Sequence, residues 1–216
     1  MISRRQFTQG LAYLALGGLA SNVSAMSGMS RKTGSGLGKL VTDPKRILDL
    51  PAGFQYQIIS QLGDPMKDGM KVPDRADGMG CIGLDNERVA LIRNHELQPK
   101  HLADQHFDLP APMIEKAYDT TKGGQPLPGG TTTLVYNMKT GNVEYQFMSL
   151  LGTVRNCSGG TTPWGSWLTC EESVDTPSSS DVNASHGFVF EVPANATSLI
   201  QATPNRSMGR FNHEAA

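Results

Sequence analysis

The residues GGTTTLVYNMKTGNVEYQFMSL, Gly129 to Leu150, decide the fold class of this chain. Thr131 to Asn137 and Val143 to Leu150 are rich in β-branched, aromatic and apolar residues. The five residues joining them, Met138 to Asn142, place Gly141 where a tight turn needs it. The stretch predicts an antiparallel hairpin. Working outward, Phe54 to Leu62 alternates apolar and polar side chains after a Pro-Ala-Gly turn, and Arg88 to Ile92 follows an Asp85-Asn86 turn, so both read as strands. Ser166 to Cys170 and Gly187 to Val192 add two short strands on either side of a Ser-rich loop, Thr176 to Ser185. Gln98 to Lys122, rich in charge, His and Pro, reads as an insertion over one end of a sheet, with a short helix around Pro112 to Tyr118. Its histidines, His101 and His106, read as surface loop residues.

Composition points the same way. The chain holds 24 Gly and 13 Pro with only 18% charged residues, which describes many turns joining short strands rather than long surface helices. An all-β fold follows. Short strands separated by turn signals fit either a sandwich or a β-propeller, and periodicity does not separate the two. At 216 residues the chain is long enough to bury a core. A formal net charge of -1, with no basic run longer than a pair beyond the N-terminus, leaves no electrostatic footprint for nucleic acid.

The N-terminus reads as an address. Ser3-Arg4-Arg5-Gln6-Phe7 precedes a modestly apolar stretch, Leu11 to Ala20, and Val23-Ser24-Ala25 offers small residues for cleavage after Ala25. Residues 1–25 are therefore expected to be a twin-arginine signal peptide, residues 26–39 a flexible Ser/Gly/basic lead-in, and residues 40–216 the folded domain. Ten apolar residues broken by Gly17 and Gly18 fall well short of the roughly 20 that span a bilayer, so no stable membrane anchor is expected. The expected partner is the twin-arginine export machinery, and the expected location is the periplasm or the exterior. In such an oxidising compartment Cys81, Cys157 and Cys170 allow one disulfide and leave one thiol over. If Cys157 is a ligand, Cys81 and Cys170 are the possible pair.

Chemistry concentrates in GTVRNCSGGTTPWGSWLTCEE, Gly152 to Glu172, which sets Cys157 in a glycine-rich stretch shortly before the paired carboxylates Glu171 and Glu172. Two tripeptides echo each other at a distance, Asn94-His95-Glu96 and Asn212-His213-Glu214. A soft thiolate combined with hard carboxylates suggests a mixed metal cluster, because sulfur suits iron or zinc and clustered carboxylates suit calcium or magnesium. Adjacent residues of a strand face opposite sides, so only one of Glu171 and Glu172 is expected to reach a shared centre. His95 and His213 could bind a metal through neutral imidazole, but if Glu96 points inward the same alternation turns His95 away, and supporting roles are the preferred expectation for both histidines. Arg155 to Gly160 admits two readings. Its glycines could let backbone amides cradle an oxyanion, with Arg155 and Asn156 as charged and neutral donors, or they could form a tight turn.

The blocks RNHE (93–96), GGTTTL (129–134), the Gly152–Glu172 run, HGFVFEV (186–192) and GRFNHEAA (209–216) occur in the order found in the PhoX-type alkaline phosphatases, which the chain resembles from Arg93 to Ala216. That resemblance implies a β-propeller. Blades of roughly 40 to 50 residues would give this chain about four, an incomplete propeller corresponding to the N-terminal portion of longer members. It also implies that Cys157 ligates Fe(3+), and that Glu96, Glu171 or Glu172, and Glu214 help hold Fe(3+) and Ca(2+). The implied activity is hydrolysis of phosphate monoesters, with Arg155, Arg93 and Arg210 in matching blocks. Two other readings stand beside it: a non-catalytic calcium-binding propeller fragment or interaction module, and a calcium-dependent propeller lactonase, which gives Cys157 no role.

Overall fold

The computed structural model describes residues 38–104 and 111–216. The expected signal peptide, nearly all of the expected lead-in and His106 lie outside the described residues. The chain divides into two compact units, Met1–Gln57 and Ile58–Ala216. In the first, β1 (Leu40–Val41) pairs antiparallel with β2 (Leu50–Pro51). The turn between them is built on Asp43, whose carboxylate accepts the N–H groups of Lys45, Ile47 and Leu48 and the Tyr56 hydroxyl. The strand expected over Phe54 to Leu62 does not form. Its apolar positions Phe54, Ile58 and Leu62 are all at least half exposed, so the alternation has no facing layer to bury it.

The second unit is built from two four-stranded antiparallel meanders. In one, β3 (Ala76–Gly83), β4 (Arg88–His95), β5 (Gly129–Asn137) and β6 (Asn142–Thr153) pair in chain order. In the other, β7 (Asn156–Thr161), β8 (Ser166–Glu171), β9 (Val189–Pro193) and β10 (Pro204–Asn205) do the same. The fold is all-β, with ten strands in three sheets among the described residues. Helix is confined to short turns, including α1 (Ala111–Ile114), shorter than the helix expected there.

The β5–β6 hairpin forms as its sequence predicts. Asn137 accepts the N–H groups of Lys139 and Thr140 through its side chain, and Gly141 adopts φ 72°, a left-handed conformation that a side chain would strain. Along β4 the side chains alternate, and Ala90 and Ile92 turn to the second sheet, where they join Leu150, Trp167, Phe188, Phe190 and Val192 in the largest buried cluster. Burying side chains of that size contributes about 1.5–3 kcal/mol each. On the other face of the first sheet, Met66, Met70 and Val72 pack on Met148 and Leu151.

β3 (ADGMGCIG) escapes sequence reading because its glycines depress strand propensity. Packing explains them. A Cβ on Gly80 would lie 2.5 Å from the Trp167 ring, and one on Gly78 would lie 2.7 Å from the Cys157 carbonyl oxygen. The glycines let β3 lie flat against the second sheet, directly over the strand that carries Cys157.

Candidate metal centre

Four stretches converge at one end of the sheets, tied through their backbones. Arg155, in the β6–β7 junction, donates its N–H to Leu97 O just beyond β4 (2.8 Å), and its own carbonyl accepts from Glu172 N just beyond β8 (2.9 Å). His213 N donates to Glu171 O (3.0 Å), which draws residues 211–214 onto the end of β8. Cys157 Sγ, one carboxylate oxygen of Glu172 and one of Glu214 consequently lie within 4.8 Å of one another. The sulfur is buried, Glu172 is half-buried and Glu214 is exposed, so the group opens to solvent on one side. The thiol donates to Glu214 O at 3.2 Å.

Arg155 stands beside this group in an unusual backbone conformation. Its φ is 53°, in the left-handed region that costs a non-glycine residue roughly 1–2 kcal/mol. Its guanidinium is pinned along one edge, with Nη2 donating to Glu172 Oε2 (2.7 Å) and to Glu96 Oε1 (3.1 Å), and Nε donating to Glu96 Oε1 (3.2 Å). Nη1 makes no hydrogen bond among the described residues. Glu96 therefore reaches the centre through Arg155 rather than by joining the sulfur, while Glu172 serves both the arginine and the donor cluster.

Glu171 does not join the cluster. It is fully buried, and its carboxylate accepts four hydrogen bonds: Val154 N (2.9 Å) and His186 Nδ1 (2.6 Å) at Oε1, Gly187 N (2.8 Å) and Phe188 N (3.1 Å) at Oε2. Four donors occupy the lone-pair directions a carboxylate offers, leaving none for a cation. Asn156 is likewise turned inward and fully buried, accepting from Thr153 Oγ1 (2.5 Å) and donating to Thr169 Oγ1 (2.9 Å). The Asn156–Thr161 stretch is neither an anion cradle nor a turn but β7 itself. A Cβ on Gly159 would run into the Leu168 carbonyl of the paired strand, and one on Gly160 into the carbonyl of Ala216. Close backbone approach is what the glycines provide.

The two tripeptides differ in their surroundings. Asn94 is buried and receives Trp167 Nε1 and Thr169 Oγ1 (2.9 Å each) while donating to Ser158 O, whereas Asn212 is exposed. His95 is buried on the opposite face, between Asp74 O and Thr132 Oγ1 (2.9 Å each). Burial depresses its pKa to about 4, so the ring is neutral. His213 is buried against Phe211, with ring centroids 3.8 Å apart. His101 lies in the 3₁₀ turn Pro99–Asp104, where its Nδ1 accepts from Gln98 N.

Sequence reasoning misses Asp119 and His186. His186 is fully buried and sits between two carboxylates, 2.6 Å from Glu171 and 3.1 Å from Asp119 Oδ2. Desolvation alone would lower its pKa, but the hydrogen bonds and charges of Glu171 and then Asp119 outweigh that and raise it. The one sequence signal is a His-Gly pair immediately before an apolar strand.

All three cysteines are free thiols, so the possible Cys81–Cys170 disulfide is not formed. Burial, reinforced by the charges of Glu214 and Glu172, pushes the Cys157 thiol up to about 11. A protonated thiol beside two carboxylates is an electrostatically poor grouping that a bound cation would invert, because the cation takes the place of the thiol proton and offsets the carboxylate charges. The donor set of one sulfur and two carboxylates fits a cation able to accept both.

No helix among the described residues is long and apolar enough to cross a membrane. A family model described as alkaline phosphatase PhoX matches residues 35–139 and 129–216. Neither the curated proteins nor the solved structures supply a match.

Proposed function

The chain belongs to the alkaline phosphatase PhoX family, and on that premise we propose that it is an exported, metal-dependent phosphomonoesterase whose metal centre is anchored by Cys157, Glu172 and Glu214. The observation that carries this reading is the gathering of those three donor atoms within 4.8 Å, beside an arginine held in a strained conformation. A thiolate suits iron or zinc and carboxylates suit calcium or magnesium, and within those pairs iron and calcium are the ions the family resemblance implies. Bound there, such ions supply positive charge to phosphate oxygens and offset the negative charge that develops as the ester is cleaved.

The chain's own groups set the geometry. Glu96 and Glu172 grip the Nε and Nη2 edge of Arg155 and leave Nη1, which makes no hydrogen bond among the described residues, to donate to a phosphate oxygen. Glu172 couples that arginine to the metal cluster, so substrate and cation are held in fixed relation. Exposed Glu214 forms the open side by which substrate enters. Asn156 holds β7 in place through Thr153 and Thr169. The two meanders, each pairing in chain order and packed face to face, have the form of successive propeller blades, which supports the propeller architecture. Twin-arginine export, which carries folded cargo, suits a centre loaded before transport.

The test is phosphate release from a simple aryl phosphate by the purified protein with calcium and iron supplied, compared with Cys157→Ala and with calcium chelated. Turnover that both changes abolish supports the reading. Turnover unaffected by Cys157→Ala contradicts it. A calcium-dependent rise in melting temperature with no turnover would favour the non-catalytic calcium-binding module instead.

A further inference from the structure

Glu171 touches no candidate ligand atom, yet it is bonded to the residues that precede Arg155 and Glu214 and adjoins Glu172 in the chain. Its Oε1 holds Val154 N, the residue before Arg155; its carbonyl holds His213 N, the residue before Glu214; and Glu172 follows it in the chain. Its Oε2 holds Gly187 N and Phe188 N, at the start of the segment leading into β9. A buried carboxylate is costly unless it is hydrogen-bonded and its charge is met. His186 meets it, and Asp119 fixes the far side of the ring through Nε2 while Asp119 itself accepts the N–H groups of Asn183 and Ala184. Tyr118 packs edge-on against the same ring, with centroids 5.3 Å apart. One relay, Asp119 to His186 to Glu171, thus runs from the loop before β5 to the backbone on which Arg155, Glu172 and Glu214 are mounted.

We propose that Glu171, held by His186, is a positioning residue that sets the spacing of Arg155, Glu172 and Glu214 and so tunes the affinity of the metal centre. The proposal deepens the phosphatase reading and rests on it. Residues that orient ligands without touching the metal typically change metal affinity or activity by roughly 10- to 100-fold when lost. Glu171→Gln keeps the shape but turns one oxygen into a donor, which cannot accept from the two N–H groups it faces.

His186 allows a sharper test, because two substitutions divide its two bonds. His186→Asn places an amide nitrogen where Nδ1 lies and preserves the donor to Glu171; His186→Gln places one where Nε2 lies and preserves the contact with Asp119 instead. Calcium affinity is measured by titration calorimetry on the full chain, together with melting temperature and the exchange rates of the Val154, Gly187 and His213 amides in metal-free protein. The expected result is a roughly 10- to 100-fold loss of calcium affinity in Glu171→Gln and His186→Gln, with faster exchange at the Val154 and Gly187 amides that the carboxylate itself holds, and restoration to within about threefold of wild type in His186→Asn. Thr133→Val, a buried change away from the relay, serves as the control and keeps wild-type affinity. Equal losses in His186→Asn and His186→Gln, or wild-type affinity and exchange in Glu171→Gln, would overturn the proposal. If wild type binds calcium without hydrolysing phosphate, the phosphatase reading fails while the affinities still decide the role of Glu171. If wild type binds no calcium, the metal centre fails and unchanged amide exchange in the variants overturns the relay as well.

Discussion

Arg155→Gly separates what the arginine does for the fold from what it does for chemistry. At φ 53° the backbone of Arg155 is strained by roughly 1–2 kcal/mol, a cost that glycine removes. Against that relief stand the greater freedom of glycine in the unfolded chain, about 0.5–1 kcal/mol, and the loss of ion pairs to Glu96 and Glu172 at a site about one-third exposed, about 0.2–1 kcal/mol each. These terms nearly cancel, so stability should stay within about 1 kcal/mol of wild type, read from urea unfolding of metal-free protein. Catalysis has no such compensation. Deleting a donor aimed at a transferring phosphoryl group costs about 2.7–4 kcal/mol, or roughly 10²- to 10³-fold in turnover of an aryl phosphate. Arg155→Ala should lose as much activity and be the less stable of the two, because it keeps the strain without the bonds. Retention of activity within threefold by Arg155→Gly would refute the role given to the guanidinium, and a stability loss above 3 kcal/mol would show that the arginine is there for the fold.

Two further predictions concern stability. The Thr133 hydroxyl is buried with no hydrogen-bond partner among the described residues, so Thr133→Val should raise stability by about 1 kcal/mol in urea unfolding. His95 has its folded pKa depressed to about 4 by burial, from an unfolded value near 6.5. Its contribution is complete above the unfolded value and is lost as pH falls towards 4, a total of about 3 kcal/mol from 1.36 kcal/mol per unit. Unfolding free energies at pH 7, 6 and 5 should therefore fall more steeply for wild type than for His95→Gln, and parallel slopes would contradict the neutral, buried ring.

The hairpin was legible because it is a local structure: β-branched runs and a glycine turn specify it within 22 residues. β3 was hidden because the residues that make it fit, Gly78 and Gly80, answer to Trp167 and the Cys157 backbone, which lie far along the chain. At the site, strand alternation foretold that only one of Glu171 and Glu172 would face the sulfur. Which one it would be depended on His186, 15 residues away, and on Asp119, 67 residues from that histidine, contacts that no local pattern records. The repeated Asn-His-Glu tripeptide overstated a likeness, since one asparagine organises the interface between the sheets and the other is exposed. The glycines after Cys157 admitted an anion loop or a tight turn, whereas the backbone carbonyls of Leu168 and Ala216, pressed against Gly159 and Gly160, account for them.

Elemental analysis of the protein expressed in its own host and purified, wild type beside Cys157→Ala, bears most directly on the metal centre. Wild type should carry iron and calcium in reproducible stoichiometry, and Cys157→Ala, folded by its melting temperature, should lose the iron. Equal metal content in the two proteins, or none in either, would contradict a centre anchored on Cys157, Glu172 and Glu214.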